Sequence, residues 1–272
     1  MSFILKMAWR DTRASRRRLL LFSLAIVLGV AALVAVGSLR DNLRFAIEEQ
    51  TKTLLGADLT VTARAKLEGE AEKFVTGLGS EQAREISFNS MLILPDAGGR
   101  TRLVQVRAVE PGFPFYGNFD TRPAGLRSKL GGGQNVILEE SLMVQFGLKP
   151  GDRVKLGSAE FMVAGGLLAV PGEAAAVATM APRVFIPFAV VGDTGLLQAG
   201  SLARHRVYLK FAPGFDVEAL VRDQRARFRE FRLGTDTVEE RKRELGQSIR
   251  NVNAFLSLVG FASLFLGAIG VA

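Results

Sequence analysis

The chain has 272 residues, 35 of them basic and 27 acidic, for a net charge of +8, with no cysteine and a single histidine. The absence of cysteine excludes disulfides and thiolate metal sites, and one histidine argues against zinc clusters and Ser-His catalysis, which draw on several partners. Hydrophobic residues form 48% of the sequence and mean hydropathy is +0.21, high for a soluble protein, because long uncharged runs lie near both ends.

Residues 1–18 carry Lys6, Arg10, Arg13, Arg16, Arg17 and Arg18 against Asp11, so five of the eight net positive charges lie in this short segment. A basic cluster abutting an apolar run is a topology signal before it is a nucleic-acid signal. No nucleic-acid partner is therefore expected. The cluster places Arg16, Arg17 and Arg18 on the cytoplasmic side and can attract anionic membrane lipids. With Phe3, Ile4, Met7 and Trp9 among the charges, this segment is expected either to lie along the membrane surface or to extend the helix that follows.

Residues 19–39 carry no charge. A helix of that length spans the hydrocarbon core of a bilayer, about 30 Å. A cleaved signal peptide is the competing reading, with Ala35-Val36-Gly37 as a small-x-small site, but the apolar core is longer than a signal's. Retained, the helix presents Ala25, Gly29 and Ala32 at helical spacing, suited to close packing. Residues 254–272 are also uncharged and have no closing polar flank, so they read as a second membrane helix cut short. There Gly260, Ser263, Gly267 and Gly270 recur at steps of three and four, a candidate helix-packing face.

Between the two runs the patterns alternate. The first membrane helix is expected to continue outward to a stop at Gly56. Strands are expected over residues 58–63, 85–94 and 102–109, the last two joined by a turn at 95–99, with a short helix over 70–78. Residues 111–133, rich in Pro, Gly and aromatics, read as loop. A strand over 136–138 precedes a helix over 139–146 ended by Gly147. Strands over 153–156 and 160–168 come next, then a loop over 171–181. Strands over 184–187 and 206–211 follow, the latter alternating Val207, Leu209 and Phe211 against Arg206, Tyr208 and Lys210. An amphipathic helix is expected over 216–232, with Val217, Leu220, Val221, Phe228 and Phe231 on one face. A charged helix over 238–253 runs into the second apolar segment.

The organisation expected is a membrane protein of two transmembrane helices flanking an α+β extracytoplasmic domain. Its parts are a cytoplasmic basic segment (1–18), membrane helix one (19–39), an outer domain with helical stalks (40–245) and membrane helix two (246–272). Catalytic motifs are scarce. The sequence has no G-x-x-x-x-G-K-[ST] phosphate loop and no G-x-S-x-G nucleophile elbow. Gly131-Gly132-Gly133 reads as a turn, and adjacent Glu139 and Glu140 point in different directions. Ser141 and His205 are the residues an enzyme would have to use. Arg222, Arg225, Arg227, Arg229 and Arg232 read as a solvated helix face. Exposed apolar residues in 113–119 and 170–180 are candidates for substrate contact, with local packing as the alternative. No catalytic, cofactor or metal site is expected.

Several segments together resemble the MacB/FtsX-like permeases of ABC transporters. They are Ala8-Trp9-Arg10-Asp11 with its Arg run, Leu55-Gly56-Ala57-Asp58-Leu59, Val136 to Glu140, and Phe146-Gly147-Leu148-Lys149-Pro150-Gly151-Asp152. The Phe113-Pro114-Phe115-Tyr116-Gly117 stretch is most similar to the large permease subgroup. The resemblance implies a MacB periplasmic core-like domain and a multi-pass protein of the bacterial inner membrane, with its central domain in the periplasm. It implies a cytoplasmic ABC ATPase partner that binds the ATP, and a homodimer or pseudo-dimer. The work done would be mechanotransmission that moves or extracts a hydrophobic, lipid-like substrate. An alternative within the same family is an FtsX-like regulator of a periplasmic cell-wall hydrolase, with that periplasmic protein as partner.

Overall fold

In chain order the strands are β1 (Leu59–Ala63), β2 (Glu81–Leu94), β3 (Arg100–Val109), β4 (Asp120–Arg122), β5 (Asn135–Glu139), β6 (Arg153–Leu156), β7 (Ala159–Ala169), β8 (Arg183–Pro187), β9 (Arg204–Lys210) and β10 (Gly234–Thr237). The helices are α1 (Gly69–Thr76), α2 (Glu140–Phe146), α3 (Val217–Asp223) and α4 (Arg225–Glu230). This computed structural model describes residues 52–53, 55–79, 81–171, 181–198 and 200–243, with isolated helical positions at 27, 30, 31, 34, 38, 255 and 258.

The chain divides into two units, residues 50–241 and residues 1–49 with 242–272. In the second of these, Val27, Val30, Val34, Phe255 and Leu258 are all exposed apolar side chains on helix. Among the described residues no helix is long and apolar enough to cross a membrane. Apart from those isolated positions the expected spans lie outside the described residues, as do Arg16, Arg17, Arg18, Gly29, Gly260, Ser263, Gly267 and Gly270.

Unit 50–241 is an α+β domain built on one ten-stranded sheet, ordered β10-β1-β9-β2-β3-β8-β5-β7-β4. Strand β6 pairs with both β2 and β7, which turns the path β2-β3-β8-β5-β7-β6 back on itself as a closed ring. Alternation explains the interior. Ile86, Phe88, Leu92 and Leu94 of β2, Val104, Val106 and Ala108 of β3, Phe161 and Val163 of β7, and Val184 and Ile186 of β8 form one buried cluster. Period-two patterning thus points every second side chain of each strand inward. Beyond the ring, β2 pairs with β9, and β9 with β1, which carries β10 on its far edge. Helices α1, α3 and α4 supply Phe74, Val217 and Phe228 to a second cluster with Leu59, Val61, Val207 and Leu209.

Several expectations are corrected. The helix expected over 216–232 is two helices that break at Gln224, which has φ −94° and ψ 9°. No Gly or Pro stands there. The break goes with tertiary packing, in which Phe228 meets Phe74 edge-on at 5.1 Å and Arg227 lies over the same ring. Residues 111–133 are more than loop. They contain β4 and a 3-10 helix over Leu126–Gly131, both too short to show a period. Strand β10 (GTDT) has no apolar alternation to announce it. Tyr208 does not face solvent with Arg206 and Lys210. It is buried, because both faces of β9 are covered.

Candidate functional site

The quoted motifs turn out to be joints. The helical residues Lys52, Thr53 and Leu55 are followed by Gly56, which has φ +72° and donates its N–H to the Lys52 carbonyl. The Gly56 carbonyl accepts the N–H groups of Phe115 and Tyr116, at 2.9 and 3.3 Å. Asp58 accepts from the Tyr116 hydroxyl (2.9 Å) and the Phe211 N–H (3.0 Å), with Lys52 at 3.2 Å. Burial, with the hydrogen bond and negative charge of Asp58, leaves the Tyr116 hydroxyl pushed up to about 12. The Leu-Gly-Ala-Asp and Phe-Tyr-Gly segments are therefore one clasp at the end of the incoming helix. In the Gly-Leu-Lys-Pro-Gly-Asp turn, Gly147 is left-handed at φ +67° and Asp152 accepts the Lys149 N–H at 2.7 Å.

A second joint lies where the ring meets the outer strands. Glu85 of β2 is 1% exposed and Arg107 of β3 2% exposed, and the two are ion-paired. Glu85 also accepts from Arg206 Nη1 and the Tyr208 hydroxyl of β9, each at 2.9 Å. Burial raises the Glu85 carboxyl's pKa. The two arginines and the hydrogen bonds from Arg107 and Tyr208 outweigh that, so the net direction is down. Burial and the Glu85 charge push the Tyr208 hydroxyl up. Arg107 stands over the rings of Phe185 (4.9 Å) and Phe113 (5.3 Å).

Next to this joint, along β2 and the start of β9, is a cleft of about 870 Å³ that Glu85 and Arg206 also line. One wall is the segment after β1, Arg64 to Glu68, with Glu72 of α1. The other wall is drawn from residues 188–203, including Phe188, Val191, Leu197 and Leu202. His205, opposite Ala63 and Ile86 in the sheet, is half-buried within it. Burial, then the nearby Lys66 charge, hold its imidazole below the usual histidine range. Ser201 also lines the cleft, but its hydroxyl donates to the Leu196 carbonyl and accepts the Gln198 N–H.

The expected residues separate in space. Ser141 is exposed on α2 and does not line the cleft that holds His205. Glu139 accepts from Arg183 (backbone 2.8 Å, Nε 3.1 Å) and Glu140 from Arg122 (2.6 Å), so the adjacent carboxylates do diverge. Residues 113–119 pack locally, with Phe113 buried and Phe115 and Phe119 against the same cluster. Val170 is buried, and residues 172–180 lie outside the described residues. Arg222, Arg225, Arg227, Arg229 and Arg232 are exposed, as a solvated face requires. Among the described residues no His/Cys/Asp/Glu group could hold a metal ion. Sequence reading missed the cleft because its walls come from segments more than a hundred residues apart.

The MacB-like periplasmic core domain model matches residues 19–227. An uncharacterized ABC transporter permease of Escherichia coli (strain K12), YbbP, is 29% identical over 193 residues, covering 71% of this chain and 23% of that protein. The chain thus spans about a quarter of that relative's length. Among solved structures, the periplasmic region of MacB from Actinobacillus actinomycetemcomitans is 10% identical with a TM-score of 0.43, over 71% of this chain and 96% of that one. A domain described as that of a permease from Porphyromonas gingivalis is 16% identical with a TM-score of 0.44, over 66% and 89%.

Proposed function

The chain belongs to the family of MacB-like periplasmic core domains, and on that premise we propose that it is part of a transmembrane permease subunit of an ABC exporter. A separate cytoplasmic ATPase drives its outer domain, which moves or extracts a hydrophobic, lipid-like substrate. The observation that carries this reading is the span of the family match. It begins at residue 19, inside the uncharged run, and continues through the folded domain, so apolar segment and α+β domain belong together. A run of that length behind Arg16, Arg17 and Arg18 is a membrane helix with a cytoplasmic N-terminus. The domain then stands in the periplasm between residues 19–39 and 246–272. The clasp of Asp58, Tyr116 and Gly56 is where motion of the incoming helix would enter the sheet.

The full-length permease, purified from its native membranes in mild detergent, is expected to bring an ATP-binding protein with it. Reproducible recovery without one overturns the reading. Recovery of a cell-wall hydrolase, together with an absence of transport, would turn it toward the FtsX-like regulator.

A further inference from the structure

We infer that the cleft between the segment after β1 and residues 188–203 is a binding site for an amphipathic anion, with its acidic head at Arg64 and His205 and its alkyl chain along Leu67, Leu197 and Leu202. The size suits a small molecule, since such sites run to roughly 300–1,000 Å³, and this cleft is about 870 Å³. Charge decides the sign of the ligand. Among the lining charges, Arg84 is paired with Glu72, Arg206 with Glu85, and Lys66 with Glu68. Among the described residues that leaves Arg64 as a cation with no counter-charge, and the His205 imidazole with no hydrogen bond. The charged groups sharing the lining with His205 are Arg64, Lys66 and Glu68 after β1, Glu72 on α1, Arg84 and Glu85 on β2, and Arg206 on β9 itself, while the described residues of 188–203 add no charge to it. His205 and Arg64 share this lining, and an anion bound between them would accept a hydrogen bond from the imidazole and favour its protonation. The apolar side is as clear. Leu202 is 98% exposed, on the same lining as half-buried Leu67 and Leu197. Together they offer a strip of hydrocarbon next to the cationic corner.

This inference rests on the proposed function insofar as it names the class of substrate that the outer domain would take. Its test uses no ATPase, so the two readings fail separately. His205 is the only histidine, so ¹³C-labelled histidine gives one NMR signal from the whole chain. The full chain, in phosphatidylcholine nanodiscs, is titrated with laurate, and with dodecanol and dodecyltrimethylammonium as neutral and cationic chains of equal length. Laurate is expected to raise the His205 titration midpoint saturably by about one unit, and so to bind about tenfold more tightly below that midpoint than above it. Dodecanol and the ammonium are expected to leave it in place. R64E and L202D, both at exposed positions, are each expected to weaken laurate at least tenfold while the ligand-free histidine signal persists. Nanodiscs containing phosphatidylglycerol that shift the signal without laurate would make the anion a membrane lipid. Butyrate matching laurate would make it a free small anion, and overturn the amphipathic reading. An equal response to dodecanol, or no saturable response to laurate, overturns the site.

Discussion

Glu85 holds three donors in an almost dry place, and each donor comes from a neighbouring strand. Such a cluster adds little net stability over a well-packed apolar one, but removing one partner leaves a buried charge exposed to its full desolvation cost. Glu85→Gln removes the buried negative charge that Arg107 and Arg206 face and is expected to destabilise the domain by about 3–5 kcal/mol, read as the fall in the urea midpoint of the chain in detergent. Tyr208→Phe removes one hydrogen bond to a carboxylate and is expected to cost about 1.5–3 kcal/mol. The pH dependence follows from the directions. The Glu85 carboxyl is lowered from 4.5, so its contribution is complete above that value and is lost as pH falls through the lower folded value. His205 is also lowered, from 6.5, so the folded state favours neutral imidazole. Its contribution is present above that value and lost as pH falls. His205→Asn should therefore flatten the decline in stability between about pH 7 and pH 5, checked by melting temperature against pH. The residues of the Glu85 cluster carry no sign of partnership in the sequence. Glu85 is one of 27 acidic residues, and only the β2–β9 register sets it opposite Arg206.

Elements were legible where they were periodic and long. The β2–β3 hairpin, β6, β7, α1 and α2 are where alternation, helical spacing and Gly punctuation place them. Those that escaped are short or set by contacts. β4 has three residues, and β10 four without apolar alternation, held in place by its antiparallel ladder with β1. Turn chemistry is the element-scale signal with the clearest test. Gly157 and Ser158 form a two-residue hairpin loop between Leu156 and Ala159, with Gly157 at φ +58°. A Cβ there would run into the Thr194 carbonyl oxygen and the Leu196 side chain. Gly157→Ala combines left-handed strain with a backbone clash. It is expected to cost about 2 kcal/mol or more, with amide exchange rising in β6, the strand that closes the ring. The Thr237 hydroxyl accepts the Glu240 N–H at 3.1 Å and so caps the helix at 238–243. Thr237→Ala should cost about 1 kcal/mol, and a larger loss would mean that β10 leaves the sheet with it.

At the scale of the whole molecule the question is which side of the bilayer each part occupies. The chain has no cysteine, so single introduced thiols report topology without background. An impermeant maleimide is expected to label S128C in intact spheroplasts and S2C only after lysis. The opposite pattern would overturn the proposed orientation. Replacing Arg16, Arg17 and Arg18 together by Asn is expected to give a mixture of orientations in the same assay, because the charge bias across the proposed first span would set its direction. By itself the sequence determined the family and the order of parts, from uncharged run through α+β domain to second run, because hydropathy and period are local properties that survive without a fold. It also determined most strands, since alternation is written residue by residue. The tertiary structure alone decided that β6 closes a ring, that Glu85, Arg107, Arg206 and Tyr208 share one buried site, and that Arg64, His205 and Leu202 line one cleft. The reason is chain separation. Glu85 meets Arg107 across 22 residues but Arg206 and Tyr208 across 121 and 123, and no pattern along the chain encodes which strands will be neighbours.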